Sequence, residues 1–234
     1  MADDFATRVA GIGALAEPAR RALYAFVVAA DGPVSREQAA DGVGVAVHTA
    51  KFHLDRLVGE GLLEVEYRRL SGRRGPGAGR PAKLYRRSAG EVAVSLPERR
   101  YDLVGTILAA GVDRALAGED VADAVRAEAR QRGVAAGSTG AGGDPGADLG
   151  ADLGAVSAVL AGAGFEPRRR DDALELANCP FDALAREHTA LVCGLNAAFV
   201  DGVIAGVGSS GLRACLEPED GLCCVRVRPV DPPA

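Results

Sequence analysis

Two groups of side chains in this sequence are of types that do chemistry, and the first is a set of thiols. Cys179, Cys193, Cys215, Cys223 and Cys224 all lie beyond residue 178. Their number is odd, and their confinement to the last quarter argues for metal or redox chemistry over structural disulfides in a reducing cytosol. Cysteines that served only as small buried hydrophobes would be scattered. No pair has the CxxC spacing of a zinc ribbon, and there is no CxxCxxC run of the ferredoxin type. Cys179 stands in Asn178-Cys179-Pro180-Phe181, read as a strand-to-helix junction where a helix N-terminus favours thiolate. Cys223 and Cys224 read as strand residues. Strand neighbours face opposite sides, so both enter one site only if the strand bulges or ends there. Cys179, Cys193 and Cys223 are therefore the expected thiolates, with Cys224, Cys215 or His188 as a fourth ligand or none needed. Three thiolates suit an iron–sulfur cluster, and two or three with His188 suit tetrahedral zinc. A third reading is an enzyme with Cys179 as nucleophile and His188 as base. No third orienting group and no phosphate- or cofactor-binding glycine motif supports it, so no catalytic residue is expected.

The second group is basic. Arg68, Arg69, Arg73, Arg74, Arg80, Lys83, Arg86 and Arg87 fall within twenty residues that contain no acid. The chain has 27 basic and 32 acidic residues, so the remainder carries 19 against 32. A molecule so polarised meets a polyanion with one chosen surface, and duplex DNA is the expected partner.

The elements that must position these groups can be read from spacing. Pro18 opens a helix with Ala22, Leu23, Phe26 and Val27 at helical spacing, and Asp31-Gly32-Pro33 stops it. Ser35 with Gln38 forms a capping box for a short helix to about Asp41. Gly42-Val43-Gly44 is the expected turn. A third helix, roughly Ala46 to Gly59, places Val47, Ala50, Leu54 and Leu57 on one face. The opposite face then presents His48, Thr49, Phe52 and Arg56, with Lys51 beside them, to a major groove; His53 reads as structural. Thr and Phe suit a thymine methyl and Arg suits guanine. Two strands, Leu62 to Tyr67 and Lys83 to Arg87, flank a Gly/Pro-rich loop over 71–81, which completes a winged helix-turn-helix. Arg68, Arg69, Arg73, Arg74, Arg80 and Lys83 are expected to grip phosphates, with Arg80 at the tip suited to a narrow minor groove.

Beyond the wing, a helical stretch from Glu98 to about Gly133 breaks at Gly118. Its stripe of Leu103, Val104, Ile107, Leu108, Val112 and Leu116 is the expected dimer contact, the alternative being that it packs on its own domain. Residues 137–154 read as a flexible low-complexity connector without chemistry. An α+β domain follows. The whole is mainly α with α+β parts: a DNA-binding domain over 1–96, dimerisation and linking helices over 97–136, the connector over 137–154 and a Cys-containing effector domain over 155–234. There is no basic n-region of a secretory signal. The longest apolar run, Ala22 to Ala30, falls far short of the about 20 residues that span a bilayer. A cytoplasmic protein without a membrane partner is expected.

The segment from Gly42 to Leu63, GVGVAVHTAKFHLDRLVGEGLL, resembles the ArsR/DeoR-like winged-helix regulators of bacteria. The tail, with LANCPFDALAREHTALVCGLNAAFVDG and EDGLCCV, is similar to the effector domain of the SufR-type iron–sulfur-sensing repressors. That resemblance implies a cluster of the 4Fe–4S kind on Cys179, Cys193 and Cys223, in a homodimeric repressor on an inverted-repeat operator. Cys215 and Cys224 are additions to the family pattern, and Val45 stands where the family has Ser or Thr.

Overall fold

The computed structural model describes residues 2–69, 81–140 and 148–230. Arg73, Arg74 and Arg80, most of the 71–81 loop and positions 141–147 of the expected connector lie outside the described residues. The fold is mixed α and β, and its contacts divide into two units, Met1–Val94 and Ser95–Ala234.

In the first unit, α1 (Ala2–Ala14) precedes α2 (Pro18–Ala29), β1 (Val34–Ser35), α3 (Arg36–Val43), α4 (Val47–Gly59), β2 (Leu63–Arg68) and β3 (Ala82–Arg87). Helix α1 and the short β1 have no counterpart in the sequence reading. The capping box is present as expected, with the Ser35 side chain accepting from the Gln38 N–H and the Gln38 side chain accepting from the Ser35 N–H. The helix runs past Gly42, however. A Cβ there would lie 2.0 Å from the Phe26 ring, so Gly42 serves the α2–α3 packing. The chain reverses only at Gly44, at φ 75°, a conformation glycine adopts without steric cost. The sheet is antiparallel in the order β1-β3-β2, with Leu63 opposite Arg87 and Arg68 opposite Ala82. Leu23, Val27, Ala50, Leu54, Leu57, Leu63 and Tyr85 form its core. Val47, expected on the buried face, is 44% exposed. The first turn of α4 adjoins Gly44–Ala46, which are themselves exposed or half-covered, so nothing apolar lies over it.

The second unit contains α5 (Tyr101–Leu116), α6 (Val121–Gly140), α7 (Leu149–Gly162), β4 (Pro167–Arg170), β5 (Ala173–Leu176), α8 (Asp182–Glu187), α9 (Thr189–Val207), β6 (Leu212–Leu216) and β7 (Val225–Pro229). The strands form an antiparallel sheet in the order β4-β5-β7-β6. The expected linking helices are thus part of the same compact body as the effector segment. On α5, Val104, Ile107 and Gly111 are buried within the unit, while Val112 and Leu116 are exposed. Much of the stripe expected to face a partner is taken up by its own core, because Gly111 admits Val125 of α6 to 2.6 Å of where a Cβ would stand. The ends of the expected connector are helical, in α6 and α7.

Helix α9 is long and apolar enough to cross a membrane by length and composition. In this fold it is the core helix: Val192, Leu195, Asn196, Phe199, Val200, Val203, Ile204 and Val207 are buried. It lies backbone to backbone against α6. A Cβ at Gly133 would stand 2.0 Å from the Phe199 carbonyl oxygen, and one at Gly202 would stand 2.1 Å from that of Arg130. Gly137 and Gly206 repeat the arrangement one turn on. Only glycine permits that approach, and Gly137, which composition alone assigned to the connector, is one of the four.

Candidate functional site

Helices α3 and α4 with the tight turn at Gly44 make a helix-turn-helix. α4 is held from behind by two polar contacts. Glu17 caps α2 by accepting from the Ala19 and Arg20 N–H groups, at 3.1 and 2.6 Å. It also faces His53 Nε2 at 3.6 Å, while Arg20 Nε donates to His53 Nδ1 at 3.4 Å. His53 is therefore structural, as its position suggested. On the other side, Asp55 Oδ1 accepts from Lys83 Nζ at 2.5 Å and from the Tyr85 hydroxyl at 2.8 Å. Burial pushes the Asp55 carboxyl up, but these two bonds outweigh it and hold the group below its ordinary range. The same bond, after desolvation, raises the Tyr85 phenol far above its usual value.

Between these anchors α4 presents Val47, His48, Lys51, Phe52 and Arg56 outward, all exposed; Thr49 is half-buried. Phe52 is 66% exposed. No side chain caps the helix at Ala46, so its first N–H groups are open to an acceptor such as a phosphate oxygen. The basic residues differ in how free they are. Arg56 pairs with Glu60 at 2.5 Å and Arg68 with Glu66 at 2.7 Å. Both arginines are themselves well exposed. Lys83 pairs with Asp55 and joins β3 to α4. Arg86 likewise pairs with Glu64. Arg69 and Arg87 are exposed with no acidic partner among the described residues. The acid-free run in the sequence is therefore partly neutralised by acids of β2 and α4.

In the second unit, the end of β5 and the start of β7 are joined by the Cys223 N–H donating to the Leu176 carbonyl at 2.8 Å. This brings the turn after β5, which carries Cys179, beside the turn before β7, which carries Cys223 and Cys224. Strand β7 begins at Val225, so the two adjacent cysteines are not bound by strand alternation. Cys179 lies near Cys223, Cys223 beside its neighbour Cys224, and Cys193, in the second turn of α9, near Cys224. Asn196, three residues along the same face of α9, donates from Nδ2 to Cys223 Sγ at 3.2 Å. Asn196 is 1% exposed, and its Oδ1 has no partner among the described residues. The role of Asn196 was not apparent in the sequence; with Asp201 it only interrupts an apolar helix.

Cys179, Cys193 and Cys223 are each held above the ordinary thiol range. The bond to Cys223, then burial, raises Cys179 well beyond the usual thiol range, although its sulfur accepts from the Phe181 N–H. At Cys223 the bond with Cys179 favours the thiolate, but the bond with Cys224 and burial prevail and push it up to about 11. Burial raises Cys193. The helix-terminus thiolate expected at Cys179 is thus overridden by its neighbours. His188 is exposed at the α8–α9 junction and Cys215 pairs across β6 with Arg226, so neither joins the four. Among the described residues no three His, Cys, Asp or Glu groups stand ready to hold a metal ion. The donor types themselves suit a soft metal: thiols from three chain segments, with one amide N–H directed at the Cys223 sulfur.

Comparison with known proteins reaches the first unit alone. No curated protein and no solved structure matches the chain. Residues 15–66, which run from the end of α1 through α4 into β2, match the family described as a helix-turn-helix domain, and this supports a DNA-binding transcription regulator.

Proposed function

We propose that the chain is a homodimeric repressor of the ArsR-like winged-helix class whose second unit senses iron–sulfur or redox status through Cys179, Cys193, Cys223 and Cys224. The exposed α4 face supports the DNA reading. His48, Lys51, Phe52 and Arg56 enter the major groove of an inverted repeat, and Arg68, Arg69 and the loop arginines Arg73, Arg74 and Arg80 hold phosphates. Two copies place their recognition helices about one DNA turn apart. The apolar residues left exposed on α5, Val112 and Leu116, supply a contact between copies.

The observation that carries the sensing reading is the meeting of four thiols from three separate chain segments under the Asn196 amide. A bound iron–sulfur cluster supplies redox responsiveness. Cys179, Cys193, Cys223 and Cys224 would hold it as deprotonated thiols. Cys224 takes the fourth place in this reading, ahead of Cys215 and His188. Zinc on the same four thiols is the second reading, favoured by the same donor set.

The test is an anaerobic absorption spectrum with iron, sulfide and zinc assays on freshly purified protein, on Cys224→Ser and on Cys215→Ser. A brown protein with matching iron and sulfide, impaired in Cys224→Ser and intact in Cys215→Ser, is expected. A colourless protein with one zinc per chain establishes the second reading. Neither metal after reconstitution refutes both.

A further inference from the structure

The thiol site is tied to the stretch of chain that enters the second unit from the helix-turn-helix unit. Residues 95–100 have no helix or strand of their own. Buried backbone and polar groups must find partners, and here they find them on the turn that carries Cys179. Asn178, 5% exposed, lies at the centre. Its Oδ1 accepts from Arg99 Nη1 at 2.5 Å, and its Nδ2 donates to the carbonyls of Glu98 at 2.9 Å and Gly164 at 2.7 Å. Arg99 Nη1 also reaches the Cys179 carbonyl at 3.3 Å, and Arg99 Nη2 lies 3.7 Å from Asp182. The Arg100 N–H donates to the Pro180 carbonyl at 3.0 Å. Three consecutive residues, Asn178, Cys179 and Pro180, thus each bond to the segment Glu98–Arg100.

We propose that Asn178 and Arg99 are positioning residues that clasp the entry segment to the Cys179 turn, so that a change at the thiols is transmitted to the chain leading to the DNA-binding unit. This rests on the reading of the four thiols as the sensing site. The Cys179 turn lies beside the Cys223 turn, which is bonded to Leu176, while the Cys179 carbonyl bonds to Arg99, so the same residue faces the thiols on one side and the clasp on the other. A rotation of the Cys179 turn that reorients its sulfur moves the acceptors of Arg99 and Arg100 with it. Such coupling needs an element with two arrangements biased by the site, and a segment without helix or strand that bonds to three consecutive residues of the turn is suited to that.

The experiment is amide hydrogen exchange on the full chain, wild type and Arg99→Met, with Asn178→Ala as a second variant. Each is compared empty, after anaerobic reconstitution with ferrous iron and sulfide, and after alkylation with N-ethylmaleimide. In the wild type, loading is expected to change exchange at the Arg99 and Arg100 amides by about tenfold or more, as local opening does when its contacts are altered. In Arg99→Met the change at 95–100 is lost, while iron content and the response at 176–193 are retained. A merely structural arginine would raise exchange equally in every state and leave the loading response in place. The clasp is overturned if loading alters 176–193 in the wild type and leaves 95–100 as it was, or if the response survives in Arg99→Met. If the chain takes up no iron, the sensing reading fails, and the alkylation arm decides the clasp by the same two criteria.

Discussion

Helices α4 and α9 each carry side chains of the two proposed sites, and they carry them in opposite directions. On α4, Ala50, Leu54 and Leu57 build the core, and Phe52, Lys51 and Arg56 point away from it. On α9, Asn196 and Cys193 point into the unit among Val192, Leu195 and Phe199. An outward face separates function from stability, since its residues can change without disturbing packing. An inward one joins them, so every substitution near the thiols also tests the fold. The glycines show the same contrast. Gly202 on α9 stands against the Arg130 carbonyl, whereas a Cβ on Gly59 of α4 meets nothing within 4 Å.

A large effect is expected from that last pair. Gly202→Ala places a methyl 2.1 Å from a backbone oxygen that no rotamer can move, and should cost about 3 kcal/mol. Gly59→Ala should be neutral or stabilise by up to about 1 kcal/mol through helix propensity. Urea denaturation of the two variants measures the difference. Equal midpoints would mean that α6 and α9 are not in backbone contact.

Phe52→Ala and Leu54→Ala separate the two faces of α4. Leu54 is fully buried, and its truncation should cost about 2–5 kcal/mol. Phe52→Ala should change stability by no more than about 0.5 kcal/mol and weaken binding to a selected DNA site by about tenfold, the loss of one good base contact. A Phe52 variant that binds as well as the wild type would remove α4's outward face from the interface.

The signals that made α4 readable and α9 opaque differ in range. Capping at Ser35 by Gln38 and the stop at Gly44 act over three or four residues, so they show in the sequence and stand in the structure. The pairing of Gly137 with Gly206 spans a distance along the chain over which composition gives no guidance, and a glycine-rich stretch then passes for a linker. Helix α1 was missed although Phe5, Val9 and Ile12 stand at helical spacing; they remain exposed, so the pattern announces no core. The thiols turned on one boundary. With β7 starting at Val225, Cys223 and Cys224 escape the alternation that would have parted them. The Cys179–Cys223 meeting depends on β5 and β7 pairing, which no local spacing reveals.

Asn196 allows the inward site to be tested apart from its fold. Its Oδ1 is buried without a partner among the described residues, a cost of about 1–3 kcal/mol. Asn196→Leu removes that cost along with the bond to Cys223, so the empty protein should gain about 1 kcal/mol in stability. Iron uptake on reconstitution should fall at the same time, since the donor to the sulfur is gone. A variant that is less stable and loads normally would show that the amide serves packing alone.

The smallest effect concerns the border between the two kinds of face. Asp55 lies on α4 but bonds inward to Lys83 and Tyr85, and its folded carboxyl is held below its ordinary range. A depressed acid contributes stability above its unfolded pKa, about 3.9, and loses it as pH falls through the lower folded value. The stability gap between wild type and Asp55→Asn should therefore be present near neutrality and close below that range. With the side chain over a third exposed, the gap is modest. A gap that persists in strong acid would mean that the charge contributes nothing. The same pair decides where the DNA surface ends. Lys83→Met should lower stability and leave the salt dependence of DNA binding unchanged, because its ammonium is already held by Asp55. Arg69→Ala should do the reverse, reducing the log–log salt slope by about 0.9 as one phosphate contact is lost. If Lys83→Met lowers the slope as much, the ion pair opens on DNA and the border moves inward by one strand residue.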